Sequence, residues 1–145
     1  MAESKIQSFN HLKIHSQYSI CEGAIKIDDL KDFCKDNKIR SLALCDTENL
    51  CGALEFAEKL SKVGTQPIIG TQINFKYNET IGLLPLYALN EVGYKRIIEL
   101  SSKSYLYNDE ISEPHLDLNE LFKKNEGVAL FSGTINGLFG KLFDK

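Results

Sequence analysis

Apolar and polar positions along this chain fall into blocks that alternate between two periods, and their order is strand, loop, helix. Phe9 to His15 (FNHLKIH) reads as a strand, and Ile27 to Lys38 as a helix with Leu30, Phe33 and Cys34 on one face and Asp28 and Asp29 at the positive end of its dipole. Ser41 to Cys45 (SLALC) is an apolar run suited to a buried parallel strand that ends at Asp46. Asn49 is then expected to cap a helix containing Leu50, Leu54, Phe56, Ala57 and Leu60, which Gly64 closes. Pro67-Ile68-Ile69 restarts the sheet, and Gly70 is expected to break it. Gln72 to Tyr77 alternates, and an Asn78-Glu79 turn leads into Ile81 to Leu89, so the stretch reads as a strand with an added hairpin. Pro85 inside that run lacks an amide hydrogen, so it must sit at a bulge, an edge or an interruption of the ladder.

Glu91 to Tyr105 is predicted as a helix with Ile97, Ile98 and Leu100 inward, and Asp109 to His115 as an exposed loop. Leu118 to Lys124 is a short helix and Val128 to Phe131 a buried strand. Ser132-Gly133 forms a sharp turn into Gly137 to Asp144. Such alternation argues for an α/β fold, a parallel sheet with helices outside, in which functional residues stand just beyond the carboxyl ends of strands. His15, Asp46, Gln72 and Ser132 occupy or follow such ends. The expected core is Leu42, Leu44, Ile68, Ile69, Leu130 and Phe131, with Gly70 and Gly133 allowing tight strand-end turns.

At 145 residues and 43% hydrophobic content the chain is sized for one core, so residues 1–145 are read as one folded unit without a second domain. A formal charge of -3 gives no broad attraction to a phosphate backbone, and Lys123-Lys124 and the spaced Lys95, Arg96 and Lys103 read as solvated helix faces. The four cysteines (Cys21, Cys34, Cys45, Cys51) show no C-x-x-C pair and read as thiols of a reducing cytoplasm. MAESKIQSFN lacks the pattern of a signal peptide, and no apolar run approaches membrane-spanning length, so no membrane partner is expected.

Two histidines near a strand end raise the question of a metal. On a regular strand His11, Lys13 and His15 share one face, and the central ammonium both fails to ligate and repels a cation. Ser132, in Phe-Ser-Gly-Thr without a G-x-S-x-G elbow, reads as a turn serine. Cys45 beside Asp46 reads as a packed thiol, and His115 as a loop histidine.

Five ordered segments, FNHLKIHSQYSICEG, LALCDTENLCGALEFAEKL, QPIIGTQINF, LYALNEVGYKRIIELSS and EGVALFSGTINGLFGKL, together resemble the polymerase and histidinol phosphatase (PHP) domain found at the N-terminus of bacterial replicative polymerase III alpha subunits. The resemblance implies a distorted β/α barrel of which this chain is the leading part, truncated at its C-terminal side. Metal-holding members carry an H-x-H at the first strand end, an Asp-His pair after the second, a Glu after the glycine of the third, and a His before the LA-N-E-x-G-Y segment. Those places fall on Lys13 and His15, on Asp46 and Thr47, on Gln72 and on Leu83, while the Asp of the family's Asp-Gly turn becomes Glu22. Ligand chemistry is thus retained only at His15 and Asp46, with Glu22 a longer carboxylate still able to coordinate, too little for a cluster of divalent ions, and no cofactor and no catalytic residue is expected.

An ion pair from Lys13 to Asp46 or Glu22 is expected to fill the volume instead. The resemblance further implies a DNA-replication scaffold whose partners are the thumb and palm of the same polymerase chain and the proofreading exonuclease subunit, with DNA reached only through the full-length enzyme. The competing expectation is a metal-dependent phosphoesterase or 3′-5′ exonuclease using His11, His15, Glu22, Asp46 and His115 with a divalent metal.

Overall fold

The computed structural model describes residues 9–106 and 113–144. Its elements run α1 (Ile27–Asp36), β1 (Ser41–Thr47), α2 (Ala53–Lys62), β2 (Gln66–Tyr77), β3 (Thr80–Ala88), α3 (Glu91–Leu106), β4 (Leu116–Asp117), α4 (Leu118–Lys123), β5 (Val128–Leu130) and α5 (Leu138–Phe143). The sheet is mixed. β1 and β4 lie parallel to β2, whereas the hairpin pair β2–β3, which the alternation predicts, and the pair β3–β5 are antiparallel, so the parallel expectation holds for β1, β2 and β4 alone. The hairpin at Asn78, which adopts φ +53, makes β3 return beside β2 and reverses the local direction.

β2 is one continuous strand, with no break at Gly70. A Cβ at Gly70 would lie 2.5 Å from the Tyr87 ring, so this glycine admits an aromatic face rather than a turn. Gly133 does take the turn role, at φ +81. Pro85 pairs opposite Gln72, and its carbonyl accepts from the Phe131 amide at 3.0 Å, just past the end of β5. Its nitrogen therefore faces the side where the ladder has stopped and no donor is needed.

Leu42 and Leu44 of β1 pack with Ile27, Leu30 and Cys34 of α1 and Phe56 and Leu60 of α2, while Ala43 and Cys45 face Tyr87 on the other side. A second cluster joins Ile73 and Phe75 of β2 and Leu84 and Leu86 of β3 to Ile97 and Leu100 of α3, with Leu116, Leu121 and Leu138. Each fully buried side chain of this size contributes about 1.5–3 kcal/mol, which makes these two clusters the principal support of the fold. Several predicted core positions lie outside them. Phe33, Leu54, Ile98, Leu130 and Phe131 are exposed, because each helix or strand buries a narrower stripe than its apolar content implies. Asn49 does not cap α2, whose N-cap is Gly52; it closes an Asx turn onto the Cys51 amide and donates to the Tyr18 and Thr47 carbonyls.

Residues 9–15 form no strand. The His11 carbonyl accepts from Ala43 and the Ile14 carbonyl from Cys45, three residues on this segment against two on β1. That mismatch breaks the alternation, so Leu12 and Ile14 pack in different clusters and His11 parts from Lys13 and His15. Asn90 accepts from the Gly93 amide at 3.0 Å and starts α3. Arg96 is 6% exposed and donates to the Glu120 and Lys124 carbonyls, fastening α3 to the last turn of α4. No helix among the described residues is long and apolar enough to cross a membrane.

Candidate functional site

A cleft of about 230 Å³ opens on the sheet face opposite α3, where the odd-numbered side chains of β3 emerge. Its lining brings together Lys13, His15, Glu22, Gln72 and Leu83, five of the seven positions that the sequence comparison selects. Pro85 and the turn around Gly133, Thr134 and Asn136 complete it. Asp46 and Thr47 stand at the end of β1 beside it, since Thr47 pairs in register with Gln72.

Asp46 is 1% exposed and turned into a closed cage. One carboxylate oxygen accepts from the Ser16 amide at 2.6 Å and the Ser19 hydroxyl at 2.8 Å, and the other accepts from the Ser16 hydroxyl at 2.7 Å. Ser19 in turn accepts from the Thr47 amide at 3.0 Å, and Thr71 donates to the Asp46 carbonyl at 2.6 Å. Charge-assisted bonds of this length are the strong kind, and a buried carboxylate requires them. Ser16 and Ser19 were not legible as partners of Asp46; their only signal is a pair of serines three apart in the turn that follows the apolar run.

The neighbouring polar cluster is open. Gln72 donates through Nε2 to Thr47 Oγ1 at 2.7 Å, and Thr47 donates to Glu22. Gln72 Oε1 and His15 Nδ1 are buried without a hydrogen-bond partner among the described residues, and His15 Nδ1 lies 3.9 Å from the Glu22 carboxylate. Glu48, at φ +58, accepts from Asn74 at 2.8 Å; burial pushes its carboxyl pKa up, opposed by that hydrogen bond and assisted by the nearby Glu113 and Glu22. Burial also raises the Cys45 thiol to about 11, consistent with a packed side chain rather than a nucleophile.

The expected Lys13 ion pair does not form with either carboxylate. Asp46 is enclosed by serine donors, and Glu22 is engaged by Thr47 and neighbours His15. His11 lines a separate groove with Ile14 and Leu30, and His115 makes its 2.9 Å contact with the Glu113 carbonyl, so neither joins His15 in the cleft. Among the described residues no group of three or more His, Cys, Asp or Glu side chains is placed to hold a metal.

The donor set does not fit the divalent cluster that the fold implies. Lys13 brings positive charge, Leu83 has no donor atom, and the Asp46 oxygens are already committed to three protein donors.

Strand order, cleft and strand-end residues together define a PHP-type α/β unit, and the PHP domain family profile matches residues 11–145. The chain belongs to the PHP domain family. Among curated proteins it is 36% identical to DNA polymerase III subunit alpha of Rickettsia felis over 134 residues, which is 92% of this chain and 11% of that protein. It is 35% identical to the same subunit of Caulobacter vibrioides over 156 residues (99% and 13%), and 37% identical to that of Borreliella burgdorferi over 145 residues (92% and 13%). The chain thus spans between 11% and 13% of the length of these relatives.

Two solved structures share the fold. A putative metal-dependent phosphoesterase from Bifidobacterium adolescentis superposes with TM-score 0.51 at 14% identity, covering 66% of this chain and 32% of that one. An amidohydrolase from Chromobacterium violaceum with bound sulfate and no metal gives 0.50 at 16%, covering 65% and 34%. Both likenesses bear on architecture alone. They agree with a partial β/α barrel, since the sheet of this chain is not closed.

Proposed function

We propose that this PHP unit is a non-catalytic scaffold within a DNA polymerase III alpha-type polypeptide, acting in DNA replication in the cytoplasm without a resident metal. Its homology to polymerase alpha subunits supports the setting. The state of Asp46 carries the reading of the site: its carboxylate is spent on holding the 16–19 turn against β1, and cannot also supply an open ligand. In this reading nucleotide transfer belongs to other regions of the polymerase chain, with which the unit packs, and the proofreading exonuclease subunit is a further partner. Phosphoester hydrolysis by the unit would require ions that its donors cannot neutralise.

Metal analysis decides the matter. After dialysis against manganese or zinc and removal of free ion, elemental analysis of the chain is expected to find substoichiometric metal, with no change on His15→Ala. One or more tightly held ions per chain, lost in that variant, would overturn the proposal.

A further inference from the structure

A groove of about 430 Å³, sharing no lining residue with the cleft, runs between α1 and the segment that precedes it. Its base is Leu30 and Leu42, both buried, with Ile14 beside them. Its walls are unusually apolar for a surface: Phe33 is 49% exposed and Ile25 44%. Phe9, 75% exposed, stacks edge-on against the groove residue His11 with ring centroids 4.8 Å apart and extends the apolar surface. Three large exposed apolar side chains gathered around one concavity mark an interaction surface rather than scattered surface residues.

Charge then says what kind of partner fits. α1 carries Asp28, Asp29, Asp32 and Asp36 against Lys31 and Lys35. Asp28 and Asp32 are neutralised by Lys31 and Lys59. Asp29 and Asp36 have no ion-pair partner among the described residues, and with Phe33 they form an i, i+4, i+7 stripe. Two carboxylates without an ion-pair partner among the described residues therefore stand about 10 Å apart along the helix, one turn on either side of an exposed aromatic ring.

We infer that this groove docks an amphipathic helix of a partner protein, one that lays an apolar stripe against Phe33, Ile25 and Leu30 and sets two basic side chains, spaced two turns apart, against Asp29 and Asp36. Apolar burial supplies the affinity, and the carboxylates select the sign of the partner's charge and its register. This does not rest on the scaffold reading of the cleft: the two surfaces share no lining residue, and either reading can fail without the other.

The test uses the 145-residue chain and two fluorescein-labelled synthetic helical peptides. One has leucines at i, i+4 and i+7 spacing flanked by lysines two turns apart, and the other has glutamates in place of the lysines. Fluorescence anisotropy is expected to show saturable binding of the lysine peptide, at least about tenfold weaker binding of the glutamate peptide, and loss of affinity as salt is raised. Phe33→Ser should weaken the lysine peptide by about tenfold or more while leaving the circular dichroism melt unchanged, because Phe33 is half exposed. Should that variant not fold, the doubly substituted Asp29→Lys, Asp36→Lys chain, altered only at exposed positions, should reverse the preference between the two peptides.

Equal binding of both peptides, or binding indifferent to these substitutions, would overturn the inference. So would a dimer in sedimentation that Phe33→Ser dissociates, which would assign the groove to a second copy. Binding that appears only after residues 1–8 are removed would assign it to this chain's own start, and would overturn it equally.

Discussion

Two polar clusters sit side by side at the end of β1, and they are built on opposite plans. Around Asp46 every oxygen of the carboxylate meets a donor, the residue is sealed from solvent, and the donors come from one short turn. Around Gln72 and His15 the hydrogen-bond chain runs through Thr47 to the surface carboxylate of Glu22 and leaves two buried atoms unmatched. Adjacent residues on a strand point to opposite faces, so one register step separates a structural knot from an open pocket. The difference teaches that an acidic residue at the expected place is not by itself a ligand. What decides is whether its lone pairs are already taken.

The sharpest way to break this comparison is Asp46→Ala. It orphans three buried donors, and hydrogen bonds to a charged group are worth about 1.5–3 kcal/mol each with added desolvation, so a loss of about 3–5 kcal/mol is expected in urea denaturation. A loss below about 1 kcal/mol would mean that the cage is not what holds the turn. On the open side the same experiment should give far less. Thr47→Val, which cuts the link between Gln72 and Glu22, is expected to cost about 1 kcal/mol, because only neutral or exposed bonds are lost. If the two variants destabilise equally, the distinction between closed and open clusters fails.

The smallest expected effect is on pH dependence. The Glu48 carboxyl is held above its ordinary range mainly by burial, so the folded state binds its proton more tightly than the unfolded state does. The stability tied to that proton is present in acid and is lost as the pH rises through the raised carboxyl range. Glu48→Gln should therefore flatten the fall in melting temperature over that window, without altering stability in acid. An unchanged slope would show that Glu48 does not titrate differently in the two states.

Much of this was legible in the residues. Most of the strand and helix order and the ends of α1 and α2 within a few positions followed from period, and His15 and Gln72 from strand-end logic, whereas Lys13, Glu22 and Leu83 were reached only through the family resemblance. Three things were not. The irregular path of residues 9–15 depends on two hydrogen bonds to β1 with unequal spacing, which local composition does not encode. The antiparallel pairing of β5 with β3 joins segments far apart in the chain, on either side of α3 and α4. The Asp46 cage needs Ser16 and Ser19 brought 30 and 27 residues back along the chain, and only tertiary structure does that.

The cage has a consequence for anyone who would re-engineer the cleft. Reinstating the family's ligands by Lys13→His, Thr47→His, Gln72→Glu and Leu83→His would restore an inventory of side chains but not an ion pocket, since Asp46 would remain bound to its own loop. Gain of metallation has to begin by releasing the serines, and that surrenders the anchor of the turn from Ser16 to Gly23. On the scaffold reading proposed above, rigidity and metallation at this strand end are alternatives, and the Asp46 carboxylate is committed to the first.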